Sequence, residues 1–145
     1  MFMGYFRRPD LNKPTLDGWF DTGDLARMNA DGYIRITGRA KDIVIRGGEN
    51  VPVVEIENLL YRHPAIRQVA IVGMPDARLG ERACAFVVLR DGCRFDFPEM
   101  VAYLEQQKVA RQYFPEFLEI LPQMPMTASG KIQKFQLRKM AGAIA

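Results

Sequence analysis

A lysine near the C-terminal end of the chain, Lys131, has the surroundings of a phosphate-binding residue. It follows Gly130, the last residue of a predicted loop over Pro122–Gly130, and it precedes a segment with helical periodicity. A glycine-containing turn before a helix, combined with an ammonium group, favours anionic ligands. The loop is not a P-loop, because that motif requires glycine where Pro125 stands and serine or threonine where Ile132 stands. An exposed loop lysine without a ligand is the other interpretation of this segment alone.

An aspartate in the N-terminal part, Asp24, ends a second segment of interest, Gly18–Asp24. An aspartate held after a Thr-Gly turn can accept hydrogen bonds from a vicinal diol, as the acidic residue does for ribose in dinucleotide-binding folds. Aspartates in ordinary turns hydrogen-bond their own backbone instead. The segment alone leaves both interpretations open.

A basic, glycine-containing stretch follows over residues 38–50. Arg39 carries a planar guanidinium that can pair with phosphate or ribose oxygens. Gly47 and Gly48 permit either the close approach of a thin ligand or a positive φ angle. Seen alone, the stretch is also explained as a surface charge cluster beside an ordinary glycine turn.

The composition indicates one globular domain of ordinary size, and its mildly basic charge suits a domain that meets small anions such as phosphates. The chain has 145 residues and a net charge of +3, too little for a dedicated nucleic-acid binder. No apolar run reaches the roughly 18 residues that a membrane helix needs. Cys84 and Cys93 lack metal-ligand spacing, so we expect no metal site and two thiols in a reducing compartment, the cytoplasm. His63 is the one histidine, and a helix-end position suits it better than catalysis.

The elements that position these residues follow an α+β pattern. Irregular chain over residues 1–24 precedes a β-hairpin of Leu25–Met28 and Tyr33–Thr37, and then a β-branched run at Ile43–Arg46. From residue 53 the order is helix, strand, strand, helix, strand, helix. The helices are predicted from Pro52 to His63, over Pro98–Lys108 and over Ile132–Ala141; the strands are predicted at Val69–Val72, Ala83–Leu89 and Phe117–Leu121, with a loop over Met74–Glu81. We therefore predict a small mixed sheet of about three strands covered by three helices and preceded by a hairpin subregion.

Taken in order, the three segments resemble the signatures of the adenylate-forming superfamily, which includes acyl-CoA synthetases, nonribosomal adenylation domains and beetle luciferases. Gly18–Asp24 is similar to G-[WY]-x-x-[ST]-G-D, and residues 38–57 are similar to G-R-x-K-D…G…E-[IV]-E. Pro125–Lys131 is similar to P-x-x-x-x-G-K. The resemblance runs from about Gly4 to Met140, nearly the whole chain.

The resemblance implies the C-terminal lid domain of an AMP-forming acid–thiol ligase, most similar to fatty acyl-CoA and cyclohexanecarboxylate-CoA ligases. Residues 1–40 would be the tail of a large N-terminal domain and the hairpin leading to the hinge, and residues 41–145 would be the lid. The acid attacks the α-phosphate of ATP to give acyl-adenylate and pyrophosphate, and CoA then displaces AMP. ATP and CoA are the implied co-substrates, with Mg²⁺ bound mainly by the large domain, which is also the implied partner.

The same resemblance assigns roles to four residues in nucleotide binding and domain movement. Asp24 and Arg39 match residues that contact the ribose. Lys41 occupies the hinge position, where backbone dihedrals change between the two closures of the lid. Lys131 matches the lysine that reaches the acid and the α-phosphate during adenylation.

A second group of residues matches the family's CoA-binding region. Gly47, Gly48 and Glu49 match the loop that lines the pantetheine tunnel. Arg111, Tyr113 and Phe114 lie where some relatives contact the CoA nucleotide, and core packing is the alternative for Phe114.

Residues 1–24 match the interior of full-length relatives, so Met1 is expected to begin a fragment. The isolated chain is accordingly expected to form no acyl-adenylate. Two alternatives stay open: an adenylation domain that loads a carrier protein, and a non-catalytic module that binds AMP or CoA.

Overall fold

The computed structural model describes residues 6–8 and 18–144, so most of the irregular chain predicted over residues 1–24 lies outside the described residues. The chain divides into two compact units, residues 1–41 and 42–145. Within the described ranges, no helix is both long and apolar enough to cross a membrane.

The first unit contains the predicted β-hairpin. Strands β1 (Asp24–Met28) and β2 (Ile34–Arg39) pair in antiparallel fashion. The turn between them is closed by Asn29, whose side-chain Oδ1 accepts the N–H groups of Asp31 and Tyr33 at 3.1 and 2.8 Å. Asparagine favours such turns because its short amide mimics a backbone acceptor.

The second unit is built on a five-stranded mixed sheet. Its strands are β3 (Val44–Arg46), β4 (Glu49–Val51), β5 (Ile66–Asp76), β6 (Gly80–Leu89) and β7 (Phe117–Ile120). Strand β6 pairs with β5 in antiparallel fashion and with β7 in parallel fashion, and it meets β3 at Gly80. The mixed sheet is confirmed. The sheet has five strands where about three were predicted, because β3 and β4 form a short hairpin that joins it.

Three helices complete the second unit: α1 (Val53–Leu60), α2 (Phe97–Gln106) and α3 (Lys134–Ile144). Helix α1 ends before His63, because the N–H groups of Arg62 and His63 bond back to the carbonyls of Leu59 and Leu60 in a tighter turn. Helix α2 begins one residue before the predicted Pro98 and ends two residues before the predicted Lys108, and the Asp96 side chain caps it by accepting the N–H of Glu99 at 2.9 Å.

The loop predicted between the two long strands is wrong. Strand β5 continues to Asp76 and strand β6 begins at Gly80, so only residues 77–79 connect them. One oxygen of Asp76 accepts the N–H groups of Leu79 and Arg78, and its other oxygen lies 2.6 Å from Nε of Arg82. These donors, that of Leu79 first, hold the pKa of the Asp76 carboxyl below its ordinary value. The Asp76 carboxylate therefore closes a tight turn in the segment that was predicted to be a loop.

Alternate residues of β5 and β6 enter two separate cores, one on each face of the sheet. Ile71 and Val87 belong to the core that includes the apolar faces of α1 and α2. Val72 and Phe86 belong to the core that includes Leu137 of α3. The prediction that both strands are buried on two faces is confirmed, and it explains why they lack polar alternation.

Candidate functional site

Two of the predicted site residues, Asp24 and Arg39, lie directly opposite each other on β1 and β2. Nε of Arg39 donates to Oδ1 of Asp24 at 2.7 Å, and the two side chains are 64% and 30% exposed. The turn role that sequence alone allowed for Asp24 belongs to Asp21, whose carboxylate accepts the N–H of Gly23 at 2.7 Å. An exposed pair of this kind contributes only about 0.2–1 kcal/mol to stability. Its carboxylate and guanidinium are accessible to a ligand with hydroxyl groups.

The Lys131 loop, residues 125–133, is a closed structure. The N–H of Thr127 donates to the carbonyl of Lys131 at 2.8 Å, and the N–H of Lys131 donates to Oγ1 of Thr127 at 3.1 Å. Gly130, at φ +81°, takes the left-handed position that the turn requires. Met126 and Ile132 form an antiparallel β-bridge beside these bonds. A helix was predicted to begin at Ile132, and this is wrong, because the bridge keeps that residue extended and delays α3 until Lys134.

The side chain of Lys131 is presented to solvent by this loop. The residue is exposed, and its Nζ makes no hydrogen bond or ion pair with any residue in the described part of the chain. An ammonium on a closed backbone loop is suited to an anionic ligand, since few backbone dihedrals must be ordered when the ligand binds.

The base of the Lys131 loop is anchored by contacts that sequence reasoning missed. The N–H of Gln133 donates to the carbonyl of Pro125 at 2.8 Å. Lys134 places its Nζ 2.7 Å from Oε1 of Glu57 on α1, and the same oxygen accepts the N–H of Ile71 at 2.6 Å. Glu57 and Lys134 are separated by 77 positions, so no local pattern could have revealed the pair.

The predicted hinge residue, Lys41, is the last residue of the first unit and lies in a short 3₁₀ turn, Ala40–Asp42. The N–H of Ala40 donates to the carbonyl of Gly23 at 2.9 Å. On the other side of Lys41, the carboxylate of Asp42 pairs with Arg138 on α3. The residues on each side of position 41 are thus bound to their own units.

The Gly47-Gly48 pair connects β3 to β4. Both residues have positive φ angles, +58° and +87°, as two-residue hairpin turns require. A Cβ atom on Gly48 would meet nothing within 4 Å, so the outer side of this turn is open. A four-residue turn was predicted over residues 47–50. The observed turn has only two residues, because Glu49 is already part of β4 and pairs there with Arg46 of β3.

The structure brings this turn next to the segment that contains Arg111. Oε2 of Glu49 accepts from Nε2 of Gln112 at 3.4 Å, and Arg46 donates to the carbonyl of Gln112 at 2.9 Å. Arg111 is exposed beside them, with a 3.4 Å ion pair to Glu105. Phe114 is buried in the core, so the packing alternative is correct for that residue.

His63 has a structural position. It is buried between the rings of Phe95 and Tyr103, at centroid distances of 4.8 and 4.7 Å, and its Nδ1 accepts the N–H of Ala65. His63 lies in the turn that follows α1, where its N–H donates to the carbonyl of Leu60, and not at the end of the helix itself. Among the residues that the structure describes, no group of three or more histidine, cysteine and acidic side chains could hold a metal ion.

Comparisons with known proteins agree on one family. The family model for the AMP-binding enzyme C-terminal domain matches residues 55–131. The chain is 49% identical over 142 residues to a medium-chain fatty-acid–CoA ligase of Escherichia coli K12, covering 96% of this chain and 25% of the relative. It is also 49% identical over 138 residues to the putative acyl-CoA synthetase YngI of Bacillus subtilis 168, covering 94% of this chain and 25% of the relative.

Solved structures give the same result. The crystal structure of ATP-bound MatB from Rhodopseudomonas palustris matches with a TM-score of 0.87 and 35% identity, over 99% of this chain and 29% of that one. The chain spans about a quarter of the length of the curated relatives it matches.

Proposed function

Because the chain belongs to the AMP-binding enzyme C-terminal domain family, we propose that it is the lid domain of an ATP-dependent carboxylate–CoA ligase. The ligase converts an acid and ATP to acyl-adenylate and pyrophosphate, and then forms the CoA thioester with release of AMP. The observation that carries this proposal is the exposed Lys131 ammonium on its closed loop, in a chain 49% identical to a medium-chain fatty-acid–CoA ligase.

Lys131 acts in the first half-reaction. As the carboxylate oxygen bonds to the α-phosphorus and pyrophosphate leaves, negative charge gathers on the oxygens of the α-phosphate, and the Lys131 ammonium offsets that charge. Donors directed at developing charge typically contribute on the order of 10²–10³ in rate. The closed loop supports this role because a pre-positioned cation needs little rearrangement at the moment of reaction.

Asp24 and Arg39 bind the ribose of the nucleotide. The carboxylate accepts hydrogen bonds from the two vicinal hydroxyls, while Arg39 holds that carboxylate and offers its other N–H groups to ribose oxygens. The 2.7 Å contact between the two side chains supports this assignment, because a single sugar can meet both.

The Gly47–Glu49 turn and Arg111 serve the second half-reaction. The open side of the glycine turn admits the thin pantetheine arm, and the guanidinium of Arg111 pairs with phosphates of the CoA nucleotide. The contact between Glu49 and Gln112 supports this grouping, because it joins the turn to the segment of Arg111.

We propose that the acid is a medium-chain fatty acid or an acid of similar apolar character, and the name of the Escherichia coli relative, a medium-chain fatty-acid–CoA ligase, supports this. The ligase works in the cytoplasm, where both cysteines remain thiols. Isolated from a large N-terminal domain that binds ATP with its Mg²⁺ and the acid, this chain forms no acyl-adenylate. A pyrophosphate-release assay on the purified chain checks this, and turnover with any carboxylic acid would contradict it.

The role of Lys131 is tested by measuring the two half-reactions separately in a ligase that contains this chain. Lys131→Ala is expected to lower acyl-adenylate formation by roughly 10²–10³ and to leave the conversion of supplied acyl-adenylate to thioester near the parent rate. Lys139→Ala, which removes an exposed lysine on α3, is the matched control and should change neither rate. An equal fall in both half-reactions for Lys131→Ala would refute the assignment.

A further inference from the structure

A partly buried ion pair connects α1 to the base of the Lys131 loop. Nζ of Lys134 lies 2.7 Å from Oε1 of Glu57, and the two side chains are only 19% and 18% exposed. The same oxygen accepts the N–H of Ile71 in β5 at 2.6 Å, so a strand backbone holds the carboxylate in place. The ammonium of Lys134 is therefore directed at a fixed point of the fold.

An ion pair in this position need not add to the stability of the fold. Removing two charges from water costs several kcal/mol, and a well-packed apolar pair is often as stable as a buried ion pair. The geometry that an ion pair imposes is more specific than that of an apolar contact, since both distance and direction are set by the hydrogen bond. Lys134 is the first residue of α3, so the geometry of its ion pair fixes the point at which the Lys131 loop joins the helix.

The residues between Lys134 and Lys131 cannot move independently of each other. The N–H of Gln133 bonds to Pro125, Ile132 bridges to Met126, and the carbonyl of Lys131 accepts from Thr127. These contacts form one ladder from the start of α3 to the tip of the loop. Through this ladder, a displacement at Lys134 would shift the backbone that carries Lys131.

The pair also distinguishes two lysines that lie three positions apart. The charge of Lys134 is matched by Glu57, whereas the ammonium of Lys131 makes no ion pair among the described residues. A phosphate approaching the loop therefore meets one accessible ammonium.

We propose that Glu57 and Lys134 are positioning residues for Lys131: their ion pair fixes the base of the loop and so the place of the Lys131 ammonium during adenylation. This inference rests on the proposed function, since it concerns the same half-reaction. In this role neither Glu57 nor Lys134 contacts the reacting atoms, and both act through the Lys131 loop.

The experiment uses the full-length ligase with the variants Lys134→Met and Glu57→Gln. Methionine keeps the apolar stem without the charge, and glutamine keeps an acceptor for the N–H of Ile71. Both variants should lower the kcat of adenylation by roughly 10²-fold at most, the loss that a displacement of about 1 Å can cause. The KM for ATP and the thioester half-reaction should remain near the parent values. Lys134→Arg should recover most of the lost rate, because it restores the ion pair.

Controls separate positioning from folding and from the proposed function. Lys139→Met makes the same replacement on the exposed part of α3 and should change neither half-reaction. Equal losses in both half-reactions, or failure of Lys134→Arg to recover adenylation, would overturn the positioning role. If Lys134→Met does not fold, Glu57→Gln and Lys134→Arg carry the same comparison.

Lys131→Ala is measured alongside these variants. Selective loss of adenylation in Lys131→Ala without such a loss in Lys134→Met would refute the positioning role alone. Unchanged adenylation in Lys131→Ala would refute the role of Lys131 in the proposed function, and the positioning role with it.

Discussion

Ionisable side chains in this protein divide according to burial. Glu57 and Glu116 are partly buried, and each accepts the N–H of a strand residue, at 2.6 and 3.0 Å. Lys131 and Arg111 are exposed on turns. A buried carboxylate needs donors to offset its lost hydration, whereas an exposed cation remains hydrated until a ligand replaces the water. The residues assigned to ligands are accordingly those that the fold does not enclose.

Cys84 illustrates how burial suppresses reactivity. It is fully buried, and desolvation together with the charge of Glu119 raises its pKa to about 12. A raised pKa keeps the thiol protonated as the pH increases, so labelling of Cys84 by iodoacetamide should stay negligible between about pH 7 and 9. Cys93 is exposed and should be labelled in the folded protein.

Mass spectrometry of the intact protein and of its peptides measures both sites. Cys93→Ser should abolish labelling of the folded chain, and both cysteines of the parent should react in denaturant. Rapid labelling of Cys84 without denaturant would contradict its burial.

At the scale of elements, turns decide which residues are presented. The β3–β4 turn is two residues long because glycine occupies both of its central positions at positive φ. The β5–β6 turn is short because Asp76 satisfies the N–H groups of the residues that follow it. The Lys131 loop is closed by Thr127 through its backbone and its hydroxyl. In each case the residues of the turn itself make the contacts that keep the two flanking segments paired.

Gly48 and Gly142 form a matched pair for testing the backbone role of the turn. Neither would bring a new Cβ within 4 Å of another atom, but only Gly48 has a positive φ, +87°. Gly48→Ala should destabilise the chain by about 1–2 kcal/mol because left-handed backbone is unfavourable for alanine. Gly142→Ala, in α3, should stabilise it by up to about 1 kcal/mol.

Urea unfolding of the two variants gives both values. If Gly48→Ala were as stable as the parent chain, the strain argument would fail, and the glycine would then be explained only by ligand approach.

At the scale of the whole molecule, the predicted ribose-binding pair and Lys131 belong to different compact units. Asp24 and Arg39 are in the first unit, and Lys131 is in the second. The division falls at Lys41, the residue that we propose as the hinge, while Ala40 and Asp42 are each bonded within their own unit. A pivot needs a few residues whose dihedrals can change while their neighbours stay bound.

Lys41→Pro tests the pivot in the full-length ligase. Proline restricts φ to about −65°, so the variant should retain one half-reaction and lose most of the overall rate of thioester formation. Lys41→Ala leaves φ unrestricted and should stay near the parent rate, which separates the backbone effect from loss of the side chain. An overall rate that is unchanged in Lys41→Pro would argue against a hinge at this position.

The sequence by itself determined the α+β class, the β1–β2 hairpin and the order of the three motifs that identify the family. These features depend on local periodicity, on turn residues and on spacing along the chain, all of which are visible in one dimension. The boundaries were less predictable. The β5–β6 connection was predicted as a loop over Met74–Glu81, and only the folded hairpin shows that Asp76 closes a three-residue turn there.

Tertiary structure alone decided which groups meet. It placed Arg39 opposite Asp24, joined the glycine turn to the segment of Arg111, and paired Lys134 with Glu57. These contacts link residues far apart in the chain and depend on register and on helix packing, which leave no periodic signal. The sequence could single out Lys131 as the candidate for the chemistry, but only the fold shows that the neighbouring Lys134 is bound to Glu57.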